Sequence, residues 1–207
     1  MKLRFAAVLL LPCGLAHAEP RITQNDFGGT GLLQTPTARM APAGELSVNA
    51  NRTEPYSRYS VSLQPLDWLE GSFRYTAITN RPYGSEALSG SQSYKDKAVD
   101  VKVRLWQESH WLPDVALGFR DIGGTGLFSS EFFVANKRYD NFDFSAGIAW
   151  GYLGNRGDID NPLGYVSDRF DTRPALEGTG DVNSGSYFRG KPSFFGGVSY
   201  QTPWDRL

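Results

Sequence analysis

The chain has 207 residues, a formal net charge of -1, 14% aromatic residues and one cysteine. Near-zero charge gives no general attraction to nucleic acid, one cysteine forms no disulfide framework, and no apolar run reaches the roughly 20 residues of a helical membrane span. With 23 glycines and a mean hydropathy of -0.38, the chain combines strand and turn formers with polarity, as a β-structure wet on one face and apolar on the other requires.

Residues 1–18 read as a secretory signal peptide. Lys2 and Arg4 form the basic region, Phe5 to Leu11 the apolar stretch, and Ala16-His17-Ala18 the small-residue site. Cleavage between Ala18 and Glu19 is therefore expected, with export through the Sec pathway. A second reading stays open at Cys13, because a cysteine after an apolar run can be acylated in bacterial lipoproteins. Pro12 directly before it fits that reading less well. Residues 19–43 show no clear period and are expected to form a periplasmic, plug-like segment.

From residue 44 to 207 the dominant signal is a period of two. Leu46, Val48 and Ala50 alternate with Ser47, Asn49 and Asn51; Tyr59, Val61 and Leu63 alternate with Ser60, Ser62 and Gln64. Phe73, Tyr75 and Ala77 oppose Ser72, Arg74 and Thr76, and Val99, Val101, Val103 and Leu105 oppose Asp100, Lys102 and Arg104. Val115, Leu117 and Phe119 follow, then Phe142, Phe144, Ala146, Ile148 and Trp150 against Asp143, Ser145, Gly147 and Ala149. Ser129 to Lys137 and Ser193 to Gln201 are less clean, since Phe132-Phe133 and Phe194-Phe195 place aromatics on both faces. About eight antiparallel strands are predicted.

The links alternate in length. Those at Pro65-Leu66-Asp67-Trp68, Gln107 to Pro113 and Tyr139-Asp140-Asn141 are short. Those at Asn80 to Asp96, Ile122 to Phe128 and Gly154 to Lys191 are longer and more polar, and only Thr53 to Ser57 breaks the rule. That alternation matches a transmembrane barrel with brief periplasmic turns and extended outer loops. Trp68, Trp106, Trp111 and Trp204 fall at the short-link rim, where an indole finds both an apolar and a wet neighbour. The expected fold is thus all-β, an antiparallel up-and-down transmembrane β-barrel of which about eight strands are present. Because the last turn has no partner strand after it, the barrel is expected to be incomplete at its C-terminal end.

Several stretches resemble the YjbH family of exopolysaccharide-associated outer-membrane proteins, to which GfcD-type capsule proteins also belong. They are the run from Phe27-Gly28-Gly29-Thr30-Gly31 to Thr37-Ala38-Arg39, and the run from Arg120-Asp121-Ile122-Gly123-Gly124-Thr125-Gly126 to Glu131. Lys137-Arg138-Tyr139, Phe142-Asp143-Phe144, Gly151-Tyr152-Leu153-Gly154 and Phe194-Phe195-Gly196-Gly197-Val198 add to them. The resemblance implies an outer-membrane barrel serving production or export of an extracellular polysaccharide, in chains much longer than this one. It brings no catalytic residues.

Neither Gly-Gly-Thr-Gly run ends in the Gly-Lys-Ser/Thr of a phosphate loop, and both are expected to be turns needing positive φ or close backbone approach. Asp158, Asp160, Asp168, Asp171 and Asp181 match no calcium-loop spacing and read as a solvated loop. His110 has no fixed partner. Glu70, Arg74, Lys102, Arg104, Arg120, Glu131 and Lys137 are expected to face inward, because a lysine or arginine on the lipid face costs about 2–4 kcal/mol at the midplane. They are expected to pair and plug the lumen, with a path for an acidic or hydroxyl-rich glycan as the weaker reading.

The function expected from these residues is a non-enzymatic outer-membrane barrel without cofactor or metal that assists exopolysaccharide production or secretion. Outer-membrane lipid, exopolysaccharide and periplasmic proteins of the same operon are its expected partners. A diffusion porin or small structural barrel, and an outer-membrane enzyme acting on glycan or lipid, are the rivals.

Overall fold

Backbone pairing accounts for the architecture, since each strand of alternating residues must place its N–H and C=O groups on neighbours. The computed structural model describes residues 22–175, 182 and 184–202; Cys13, the cleavage position after Ala18, Asp181 and Trp204 lie outside the described residues. Among the described residues, eight strands form one antiparallel sheet in which each pairs with its neighbours in sequence. They are β3 (Leu46–Thr53), β4 (Tyr56–Leu66), β5 (Leu69–Pro82), β6 (Ser93–Trp106), β7 (Asp114–Arg120), β8 (Ser130–Tyr139), β9 (Phe142–Gly151) and β10 (Ser193–Tyr200). A two-stranded hairpin precedes them, β1 (Gly31–Leu32) with β2 (Thr35–Pro36).

The all-β, up-and-down order predicted from sequence is present, with β5 and β6 running further than the alternation marked. They reach Pro82 and Ser93, and a single helical turn, α1 (Glu86–Ser89), caps the link between them. One end of the sheet carries the tight turns 67–68, 107–113 and 140–141, and the other carries 54–55, 83–92, 121–129 and 152–192. Trp68 and Trp111 lie exposed at the tight-turn end.

The sheet curls around residues 22–43. This segment reaches both edges, since Asn51 of β3 donates to the Asp26 carbonyl at 2.8 Å and Leu32 lies against Gly197 of β10. On the concave face, polar side chains are buried: Arg58, Ser60, Ser62 and Gln64 on β4, Glu70, Ser72, Arg74 and Thr76 on β5. The apolar part of the interior is small, with Ala38, Met40, Ala116, Phe132, Val134 and Ala149 in one cluster and Phe27, Ile78 and Phe128 in another. Gly118 is required there, because a Cβ on it would stand 2.1 Å from the Phe132 ring.

The convex face is the reverse. Val48, Tyr59, Val61, Phe73, Val99, Phe144, Phe194 and Val198 are all exposed on it, and Val48 reaches 73%. Among the described residues, a cover packs on it near the long-loop end. There Phe188 packs its ring on Trp150 at 5.3 Å and on Phe119 at 5.8 Å, and Tyr187 packs on Phe119.

That cover corrects the inward placement of Glu131. Glu131 pairs in register with Phe119 and Trp150, so it leaves the sheet on the convex side. Its charge is met by a two-pronged bond from Arg173, at 2.7 and 2.9 Å, and by the Phe188 amide at 2.9 Å. Lys137 is likewise on the convex side, because its neighbour Asn136 faces inward. At the tight-turn rim its ammonium donates to the carbonyls of Ser109 and His110 and pairs with Glu108 at 3.1 Å. The inward placement expected for Glu131 and Lys137 is one residue out of phase with β8 as it pairs, because the Phe132-Phe133 pair hides which face is apolar.

Candidate functional site

Three docking points hold residues 22–43 on the concave face. At the first, the Phe27 ring lies under three guanidiniums, those of Arg120 at 4.2 Å, Arg58 at 4.7 Å and Arg74 at 4.9 Å. Cations over an aromatic face are attracted by its quadrupole, and the edges of Phe128 and Tyr152 complete the nest. Arg74 also pairs with Asp100 at 2.6 Å.

The second point uses the first Gly-Gly-Thr-Gly run. Thr30 donates its hydroxyl to Glu70 at 2.6 Å and its amide to the same oxygen at 3.1 Å, while Lys102 holds the other oxygen at 3.1 Å. A Cβ on Gly29 would stand 2.6 Å from Glu70, so glycine there lets the backbone close on the carboxylate. The second run repeats this at the other end of the interior. Thr125 donates to Asp96 of β6, and Gly124 makes room for the Asp121 carboxylate and the Lys97 carbonyl. Both runs are turns that bring a threonine hydroxyl to a buried carboxylate, a role that glycine spacing by itself did not specify.

Asp121 closes that loop. It sits at φ 56°, accepts the Phe128 amide at 3.0 Å and is 5% exposed. Burial, reinforced by nearby Asp96, pushes its carboxyl up to about 6. A folded value above the ordinary 3.9 or so stabilises the fold when the group is protonated. The contribution is complete below about pH 4 and is lost as pH rises through about 6. Asp121→Asn keeps the acceptor and tolerates the left-handed backbone. It is therefore expected to melt higher than the parent at pH 7.5, by at most about 3 kcal/mol at 1.4 kcal/mol per pKa unit. The gap should shrink below pH 4 in melts across that range; an equal gap at both pH values would refute the buried charge.

The third point is Arg39, at the tight-turn end. Its guanidinium grips Asp143 through two bonds of 2.8 Å, Asp114 at 2.6 Å and Glu108 at 2.7 Å. Burial opposes this charge, yet bonds and attraction from Asp143 and Glu108 hold it above the usual arginine value. Glu108 is held low in turn, against its own burial, by the Arg138 amide, Arg39 and Lys137. Beside Arg39, Asn136 accepts the Ala38 amide at 2.8 Å and donates to Asp143.

Arg74, Lys102, Arg104 and Arg120 project from the concave face, but they are not equivalent. Arg74, Lys102 and Arg120 are committed to the docked segment, with Lys102 donating to the Thr30 and Arg39 carbonyls and Arg120 to that of Gln34. Arg104 instead faces a cleft of about 450 Å³ that opens at the tight-turn rim between the segment, β9 and β10. Arg39 was not singled out from sequence, although it ends one of the runs that carry the resemblance. Two of the acidic loop residues have their own ion pairs, Asp158 with Arg156 at 2.7 Å and Asp160 with Lys191 at 2.7 Å.

The family model described as exopolysaccharide biosynthesis protein YbjH matches residues 23–207. A protein of Escherichia coli strain K12 named an uncharacterized lipoprotein, YjbH, is 54% identical over 187 residues. The match takes in 89% of this chain and 27% of that protein, so the chain spans about a quarter of its relative's length. No solved structure matches.

Proposed function

Since the chain belongs to the YjbH family of exopolysaccharide biosynthesis proteins, we propose that it forms part of an outer-membrane β-barrel wall that assists exopolysaccharide production or secretion without catalysing a reaction itself. The observation that carries this is the inversion of the two faces. The sheet exposes Val48, Val61, Phe73 and Val99 on its convex side and buries Arg58, Glu70, Arg74 and Lys102 on its concave side. A water-soluble sheet hides its apolar face; a barrel wall turns it to lipid. The tight turns with Trp68 and Trp111 then lie at the periplasmic interface, the level from which residues 22–43 enter.

In this reading the partners are outer-membrane lipid, exopolysaccharide and periplasmic proteins of the same operon. The lipoprotein name of the E. coli relative favours a second arrangement at the N-terminus, in which Cys13 is acylated and tethers the chain to the membrane. Both arrangements place the protein in the cell envelope, and one measurement separates them. The mass of the processed N-terminus is expected to begin at Glu19 for ordinary cleavage and at a lipid-modified Cys13 for the tether. Reconstitution with brominated lipids tests the wall itself, because Trp68 and Trp111 fluorescence is expected to be quenched from within the bilayer. A processed protein that stays monomeric in water without detergent would defeat the proposal.

A further inference from the structure

We propose that the cleft at the tight-turn rim is a binding site for a neutral, hydroxyl-rich saccharide segment, an inference that rests on the exopolysaccharide reading above and names its ligand. The cleft has the size of a small-molecule site, about 450 Å³, within the roughly 300–1,000 Å³ usual for ligands. Its charged lining is balanced: Arg39, Arg104 and Arg138 against Asp114, Asp140 and Asp143. Three formal charges of each sign leave no net field to draw in a polyanion.

Balance of this kind suits hydroxyl groups, each of which donates once and accepts twice. With Arg39, Asp114 and Asp143 held by one another, the Arg104 and Arg138 guanidiniums supply donors, the exposed Asp140 supplies acceptors, and the amides of Gln107 and Asn141 at the rim supply both. Arg104 adds an unused donor. Its Nε lies 3.7 Å from Asp114, beyond hydrogen-bond distance, and has no hydrogen-bond partner among the described residues although the atom is buried. A buried donor left unpaired costs free energy that a bound hydroxyl recovers. Arg58, Arg74 and Arg120 also carry unpaired guanidinium nitrogens, but they lie at the Phe27 ring and do not line the cleft, and Lys102 is held by Glu70.

The test is calorimetric titration of the detergent-folded protein with maltohexaose, cellohexaose and hexa-N-acetylchitohexaose, and with hexagalacturonate as the anionic comparator. Saturable binding of at least one neutral hexamer, with hexagalacturonate weaker, is the expected result. Arg104→Gln should weaken it at least tenfold. The exposed pair Gln107→Ala with Asn141→Ala, which leaves the fold's own bonds intact, should weaken it at least threefold. Lys97→Gln on the convex face should leave it unchanged. Absence of binding by every neutral hexamer, tighter binding of hexagalacturonate, or parental affinity in the rim pair would each overturn the site. None of these outcomes bears on membrane insertion, which the brominated-lipid measurement reads separately.

Discussion

Replacing Arg39 by methionine is expected to free residues 22–43 from the concave face and to cost about 3–5 kcal/mol, the range for removing one member of a buried ion pair. Arg39 is the shared partner of Glu108, Asp114 and Asp143, all within 2.8 Å, and its side chain is 15% exposed. Lys137, Arg104 and Arg138 remain near these carboxylates, at 3.1, 3.7 and 3.8 Å. None of the three belongs to the docked segment, so the surviving pairs hold the rim together while losing the segment. Amide exchange reads this directly, through the Ala38 amide bonded to Asn136 and the Gly28 amide bonded to Asn25. Both should lose protection in Arg39→Met. Arg39→Lys should fall between, because an ammonium keeps the charge but cannot hold Asp143 through two parallel bonds. If the Ala38 amide stays as protected as in the parent, Arg39 does not anchor the segment.

What the sequence disclosed followed from what repeats in it. Alternation between Ser60 and Val61, or Arg74 and Phe73, marks the two faces because one face must be wet and the other apolar, whatever the strand's partner. The up-and-down order came from link lengths, which depend on local turn chemistry. Glu131 escaped because its neighbourhood is tertiary: a carboxylate on the apolar face is tolerable only with Arg173, 42 residues away, folded onto it. Arg39 escaped for a similar reason. Its three partners come from a turn and two strands far along the chain, and residues 22–43 have no period to show which side chains point at the sheet. The paired Gly-Gly-Thr-Gly runs were visible as turns, while their carboxylate partners Glu70 and Asp96 were visible only as two charges among many.

Phe73→Lys is expected to have opposite consequences in the two environments the convex face could occupy, which makes it the sharpest test of the proposed function. Phe73 is the fifth of the 14 residues of β5, is 49% exposed, and stands between Val61 of β4 and Val99 of β6. Facing water, such a position tolerates lysine within about 0.5 kcal/mol, and solubility improves. Facing hydrocarbon, the ammonium must be carried to the bilayer midplane at about 2–4 kcal/mol. Asn80→Lys, at the exposed long-loop end of β5, is the matched control and should cost nothing in either case. Folding titrations in phospholipid vesicles are therefore expected to show Phe73→Lys destabilised by about 2–4 kcal/mol, with Asn80→Lys parental. Equal stability of the two lysine variants in vesicles would mean that this face does not meet lipid. The exposed valines and aromatics around Phe73 would then have to be covered by protein instead.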